Sequence, residues 1–145
     1  MILVDANLLV YAHDEGAAEH AVARPWFEGV VNKRARVGLP WASLLAFVRL
    51  VSNPAIVRTP VKPALAWARA TEWLQRDNVW IPQPGPLHAE LLTGLLSDGR
   101  ITSRMVPDAH LAALSIEHGL LLCSSDGDFA RFPGLRWENP LAAGP

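Results

Sequence analysis

Two short apolar runs constrain this chain most: "MILV" at residues 1–4 and "LLLC" at residues 120–123. Met1–Val4 is too short for a helix and β-prone, so it reads as a buried strand, and Leu120–Cys123 reads the same way. Between them the hydrophobic period changes to that of helices. Residues 17–31 carry Ala21, Val22, Trp26 and Val30 as a helical stripe. "RARVGLP" gives a second short strand stopped by Pro40, and "WASLLAFVRLVSN" a helix that should stop before Pro54. Pro63 can open a third helix to about Arg76, with Leu65, Ala68, Ala70 and Leu74 as core positions. "NVWIPQPGP" is a strand with a Pro-rich turn, and "LHAELLTGLLSDG" a helix closed by Gly99. After the irregular stretch "RITSRMV", "PDAHLAALSIEHG" forms a helix with Pro107 at its first position and Gly119 as its stop. "SSDGDFARF" is a turn or short helix, and "LRWEN" a last edge strand.

Strands that alternate with helices imply right-handed crossovers and a mainly parallel sheet covered on both faces. The expected architecture is one α/β domain over residues 1–145, a three-layer αβα sandwich on four or five short strands, with residues 140–145 as a frayed tail. The formal charge of −1 gives no global field that attracts a polyanion, so any nucleic-acid contact is local or carried by a metal. A single cysteine, Cys123, excludes an internal disulfide and reads as a small buried hydrophobe. No apolar run reaches the ~20 residues of a membrane span, and no signal-peptide pattern opens the chain, so the expected location is the cytoplasm.

In an open parallel sheet, sites form beyond the carboxyl ends of the strands. Asp5 ends the first strand. The helix that begins at Pro107-Asp108 runs antiparallel to the strand after it, so its N-terminus lies near that strand's carboxyl end, where Ser124, Ser125 and Asp126 emerge. Asp5, Asp108 and Asp126 are therefore expected to face one crevice, with Asp128 able to join them. Three carboxylates this close repel one another, and at least one carboxyl should hold its proton unless a cation intervenes. Oxygen donors without a Cys or His ligand set suit Mg²⁺ or Mn²⁺ over Zn²⁺. His13, His20, His88 and His118 show no ligand spacing, and His110, two residues after Asp108, points away from it as a surface or packing histidine. Trp41, Trp67 and Trp73 are candidate docking residues.

"VDANLLVYA", "VPDAHLAALSIEHG" and "LLLCSSDGDFARFPGLRW" together resemble the PIN-domain ribonucleases, and within them the VapC toxins of bacterial toxin–antitoxin pairs. The resemblance covers nearly the whole chain in order and spacing. It implies a PIN-like fold and a Mg²⁺- or Mn²⁺-dependent endoribonuclease whose products carry a 5′-phosphate and a 3′-hydroxyl. It also implies a small inhibitory antitoxin and a homodimer or higher oligomer. By the same resemblance, Asp5, Asp108 and Asp126 match the metal-binding acids. Ser124 matches the hydroxyl residue before the last acid, and Asn7 the polar position after the first. RNA would enter over a rim for which Arg49, Arg58, Arg100 and Arg104 are the candidates.

One position departs from the family. A Glu is usual on the second helix of this reading, yet "SLLAFVRL" places Phe47 there. Ser43, one turn earlier on the same face, could act as a weaker ligand through water, and Asp98 or Asp128 could compensate. The departure keeps open a catalytically weak PIN-fold module that binds nucleic acid or protein. Other phosphate-handling α/β domains fit less well. A dehalogenase-like site wants Asp-x-Asp where this chain has Asp5-Ala6-Asn7, and a receiver wants an N-terminal acidic pair and a late Lys.

Overall fold

The computed structural model describes residues 1–142. Five strands, β1 (Ile2–Val4), β2 (Val37–Gly38), β3 (Val79–Trp80), β4 (Leu121–Cys123) and β5 (Trp137–Glu138), form one sheet in the order β3-β2-β1-β4-β5. Every pairing is parallel. The central strand β1 is apolar because it is enclosed by β2 and β4 at its sides and by helices above and below, and Leu3 and Val4 have no exposed surface.

Six α-helices cover the sheet: α1 (Ala6–His13), α2 (His20–Val31), α3 (Trp41–Val51), α4 (Pro63–Leu74), α5 (His88–Leu96) and α6 (Val106–His118). On one face α1 to α4 enclose a cluster around Leu8, Leu9, Phe27, Phe47 and Trp73. On the other, α5 and α6 enclose Leu95, Met105, Ala112, Leu114 and Phe129. The expected three-layer αβα domain with a parallel central sheet is what the chain adopts, with five strands. No helix among the described residues is long and apolar enough to cross a membrane.

Several element boundaries differ from the sequence reading, each for a local reason. A separate helix, α1, follows β1 at once, because the Asp5 side chain accepts a hydrogen bond from the Ala6 amide and caps it. The next helix starts at His20 and not Ala17, since the Asp14 carboxylate takes the Gly16 amide at 3.0 Å and holds a turn there. In α4 the inward face is Ala66, Ala70 and Trp73, while Leu65 and Ala68 are exposed. Trp73 decides this register: its ring packs 5.1 Å from Phe27 and 4.9 Å from Phe47. The same burial removes Trp73 from the candidate docking residues, whereas Trp41 and Trp67 stack on each other at 5.9 Å nearer the surface. Helix α5 ends at Leu96, before Gly99, because Asp98 organises the following turn around the Arg100 amide. A short 3₁₀ turn, Ser103–Met105, leads into α6, so that Val106 and Pro107 precede Asp108 in its first turn. Gly119 closes α6 at φ 66°, a conformation that favours glycine. Leu141 packs back on the first cluster; of the tail expected to fray, residues 143–145 lie outside the described residues.

Candidate active site

The register of β1 against β4 builds the site. Val4 lies opposite Cys123, so the next residues out, Asp5 and Ser124, leave the sheet side by side, tied by the Asp5 amide donating to the Cys123 carbonyl at 3.0 Å. The Ser124 hydroxyl, fully buried, donates to Asp5 Oδ2 at 2.8 Å. It also accepts from Asn7 Nδ2 at 3.1 Å and from the Asp126 amide at 3.0 Å. The Ser125 amide reaches Asn7 Oδ1 at 3.4 Å. One serine thus joins the capping residue of α1, the first turn of α1 and the loop after β4. Asp126 in turn accepts from the Asp128 amide at 2.9 Å and caps a 3₁₀ helix, Gly127–Arg131.

Asp108 enters from the third side, on the first turn of α6. Its carboxyl is pushed up to about 6 from 3.8, first by burial and then by the neighbouring charges of Asp5, Asp126 and Asp128, with Arg104 opposing. Asp5 is also raised; burial dominates, the Ser124 and Ala6 hydrogen bonds oppose it, and Asp126 adds repulsion. The charges of Asp5 and Asp126 both act on Asp108, and that of Asp126 on Asp5, so the three carboxylates stand near one another at the carboxyl edge of the sheet. Among the described residues no group of three or more His, Cys, Asp or Glu side chains is placed to hold a metal ion. An open arrangement of hard oxygens with a shared excess of negative charge fits a cation that keeps most of its waters and takes one or two carboxylates, as Mg²⁺ does.

The family model described as PIN domain matches residues 2–135. Ribonuclease VapC33 of Mycobacterium tuberculosis is 38% identical over 141 residues, which are 97% of this chain and 99% of that one. The chain is a PIN-domain protein of the VapC family. Ribonuclease VapC37 of the same organism is 37% identical over 142 residues, covering 98% of this chain and 99% of its own. Among solved structures, VapBC2 from Rickettsia felis bound to a promoter DNA fragment matches with a TM-score of 0.66 at 20% identity, over 96% of this chain and 98% of that one. M. tuberculosis VapC20, described as a sarcin-ricin loop cleaving toxin, matches with a TM-score of 0.64 at 21% identity, over 94% and 99%. At those identities the two structures speak for the fold.

Within this VapC-family chain, the helix expected to carry a fourth acid does not supply one. Phe47 is fully buried, edge-on to His13 at 5.6 Å and against Trp73, so this position builds the core. Ser43 lies on the same buried face, and its Oγ has no hydrogen-bond partner among the described residues. Asp98 is not a substitute, because Arg100 holds it through the side chain at 2.8 and 3.2 Å and the amide at 2.9 Å. Asp128 stands beside the acids, but Arg104 engages it at 3.0 Å and Arg131 approaches to 3.8 Å. Of the four arginines expected at the rim, Arg100 and Arg104 are therefore paired. Arg49 and Arg58 are exposed and make no carboxylate contact among the described residues. Arg58 lies near Gly16, past the far end of α1, about 12 Å of helix away from Asp5.

A polar arrangement between α5 and α6 escaped sequence reasoning. His88 Nε2 and His110 Nδ1 meet at 3.0 Å, and the Glu117 carboxylate accepts from the Gly85 and Leu87 amides, each at 2.8 Å. His110 is partly buried and packs on His88, one of the two roles its place on α6 leaves open. Its partner lies 22 residues away with no local signal, so only the tertiary fold reveals the pair.

Proposed function

We propose that this chain is the toxin of a toxin–antitoxin pair and a Mg²⁺- or Mn²⁺-dependent endoribonuclease. The single observation that carries the reading is the gathering of carboxylates at the carboxyl edge of the sheet, where burial first, and then the charges of Asp5, Asp126 and Asp128, raise Asp108 to about 6. Asp5 and Asp108 would hold the principal cation, and Asp126 would orient the attacking water or hold a second ion. A bound ion supplies a water of lowered pKa, a grip on the phosphate and neutralisation of developing charge. The chain's own residues perform the positioning. Ser124 and Asn7 fix the Asp5 carboxylate and the loop that carries Asp126, and Asp126 N–H donation to Ser124 keeps that loop against β1. Asp108 would give up its proton once a bound cation offset the repulsion of its neighbours. The named ribonuclease relatives, which this chain matches end to end, support the same reading. Structural neighbours that are VapBC pairs and a toxin–antitoxin complex support an antitoxin partner, and the cytoplasm is the proposed setting.

Phe47 favours one other reading, a PIN-fold binding module that does not cleave. Mn²⁺-dependent cleavage of single-stranded RNA by the purified chain separates the two. Cleavage is expected from the wild type and lost in Asp5→Asn and Asp108→Asn. RNA that binds and stays intact at saturating Mn²⁺ would leave only the module.

A further inference from the structure

The opposite edge of the sheet carries a second feature with its own chemistry. Where β2 and β3 begin, a cleft of about 500 Å³ opens between the ends of α2 and α4. Lys33, Arg34, Arg36 and Arg76 line it, with Asp77 as the one acid. The chain has thirteen Lys and Arg. Five of them pair with a carboxylate, leaving eight without one among the described residues. Four of those eight stand in this cleft. Two helix C-termini there favour nearby cations and account for part of the clustering. Their influence fades within a turn, so they do not account for Arg36, which lies beyond that reach of the end of α2.

The cleft is also held in shape. Asn78 Nδ2 donates to the Val30 and Ala35 carbonyls, at 3.2 and 3.0 Å, which clamps residues 30–35 to the start of β3. The Arg36 guanidinium lies 4.4 Å over the Trp80 ring, which fixes its direction. The Arg36 carbonyl takes the Ile2 amide, so the cleft stands about 10 Å of strand away from Asp5. On a chain with a net charge of −1, this is a local, preformed positive site separate from the carboxylate crevice.

We propose that this cleft is a second binding site for the phosphodiester backbone of the RNA, gripping a part of the molecule remote from the cleaved bond. An open shelf of guanidinium groups suits an extended polyanion, since Arg pairs with phosphate oxygens in a fork and each contact releases counterions. The proposal rests on the ribonuclease reading for the identity of its polyanion. It predicts that a large folded RNA is held by both edges and a short oligonucleotide by the carboxylate edge alone.

The test uses the full chain with Arg34→Gln and Arg76→Gln, both at exposed positions, alone and together. Binding of a folded RNA hairpin with a long stem, and of a matched DNA duplex, is followed by anisotropy without divalent cation in an Asp108→Asn background. Cleavage of a short single-stranded RNA is followed with Mn²⁺ in the otherwise wild-type chain. The double variant should weaken hairpin binding about tenfold and reduce the salt slope by about 1.4 to 1.8, each single variant giving roughly half. Cleavage of the short RNA should stay within twofold. Unchanged hairpin binding overturns the proposal, as does a loss confined to DNA or an equal loss of oligonucleotide cleavage. A wild type that binds the hairpin through this cleft yet never cleaves would sink the nuclease reading and leave the site standing.

Discussion

Replacing Asp108 by Asn should abolish cleavage and, without divalent cation, stabilise the chain. The carboxyl stands at about 6 against 3.8, because burial and three like charges disfavour its ionised form. A carboxyl raised in this way contributes stability below about pH 4, and that contribution disappears as pH rises through 6. At pH 7.5 the folded chain therefore carries an unrelieved charge. The full difference is about 3 kcal/mol at 1.36 kcal/mol per tenfold change in proton affinity. Asp108 is only half-buried, so solvent screening reduces this to about 1–1.5 kcal/mol. Loss of a favourable acid in the first turn of α6 takes back about 0.3 kcal/mol or more, leaving a net gain near 1 kcal/mol. No hydrogen bond to the carboxylate is sacrificed among the described residues. For a chain of this length the gain corresponds to a Tm rise of about 2–4 °C. Calorimetry with chelator at pH 7.5 and pH 4 measures it. The rise should appear at pH 7.5, shrink at pH 4, and reverse at pH 7.5 when Mn²⁺ stabilises only the wild type. A variant that melts lower at pH 7.5 without metal, or gains equally at both pH values, would refute the electrostatic account of the crevice.

Ser124→Ala removes the donor to Asp5 and the acceptor for Asn7 and Asp126, all within a buried space. Stability should fall by about 1–3 kcal/mol in urea titrations, and Mn²⁺ affinity by ten- to a hundredfold in calorimetric titrations. Phe47→Glu, which installs the acid usual in the family, should destabilise the chain by more than about 3 kcal/mol, because the site is packed against Trp73 and His13. An active, equally stable Phe47→Glu enzyme would contradict that placement. Mn²⁺ affinity in the wild type should weaken about tenfold per pH unit below about 6, as Asp108 takes up its proton. Arg104→Ala should move that limb to higher pH, since Arg104 opposes the rise at Asp108.

How much of this was legible in the sequence depends on where each residue's reason lies. β1 and β4 were readable because a strand enclosed on all sides has to be apolar throughout, as Leu3, Val4, Leu122 and Cys123 are. Helix α1 is not evident in the sequence because Leu8-Leu9-Val10 is as apolar as a strand, and only the Asp5 cap turns the chain. The register of α4 is hard to read in the sequence because its inward face is small: Ala66 and Ala70 signal little until Trp73 anchors them. At the candidate site, Asp5, Asp108 and Asp126 followed from topology alone, since strand ends and a helix start must meet there. Ser124 as the hub of that meeting needed side-chain geometry, as did the pairing of Arg100 with Asp98 and Arg104 with Asp128. The cleft of Lys33, Arg34, Arg36 and Arg76 is hidden in the sequence because its cations come from two loops about 40 residues apart.

The most direct measurement is anomalous scattering from a crystal of this chain soaked in Mn²⁺ near pH 7.5. The account predicts a peak at the carboxyl edge of the sheet, about 2.0–2.3 Å from oxygens of both Asp5 and Asp108, with Asp126 on the same ion or one water beyond it. A fully loaded crystal whose manganese lies elsewhere, with these two side chains bare, would contradict the shared-cation crevice.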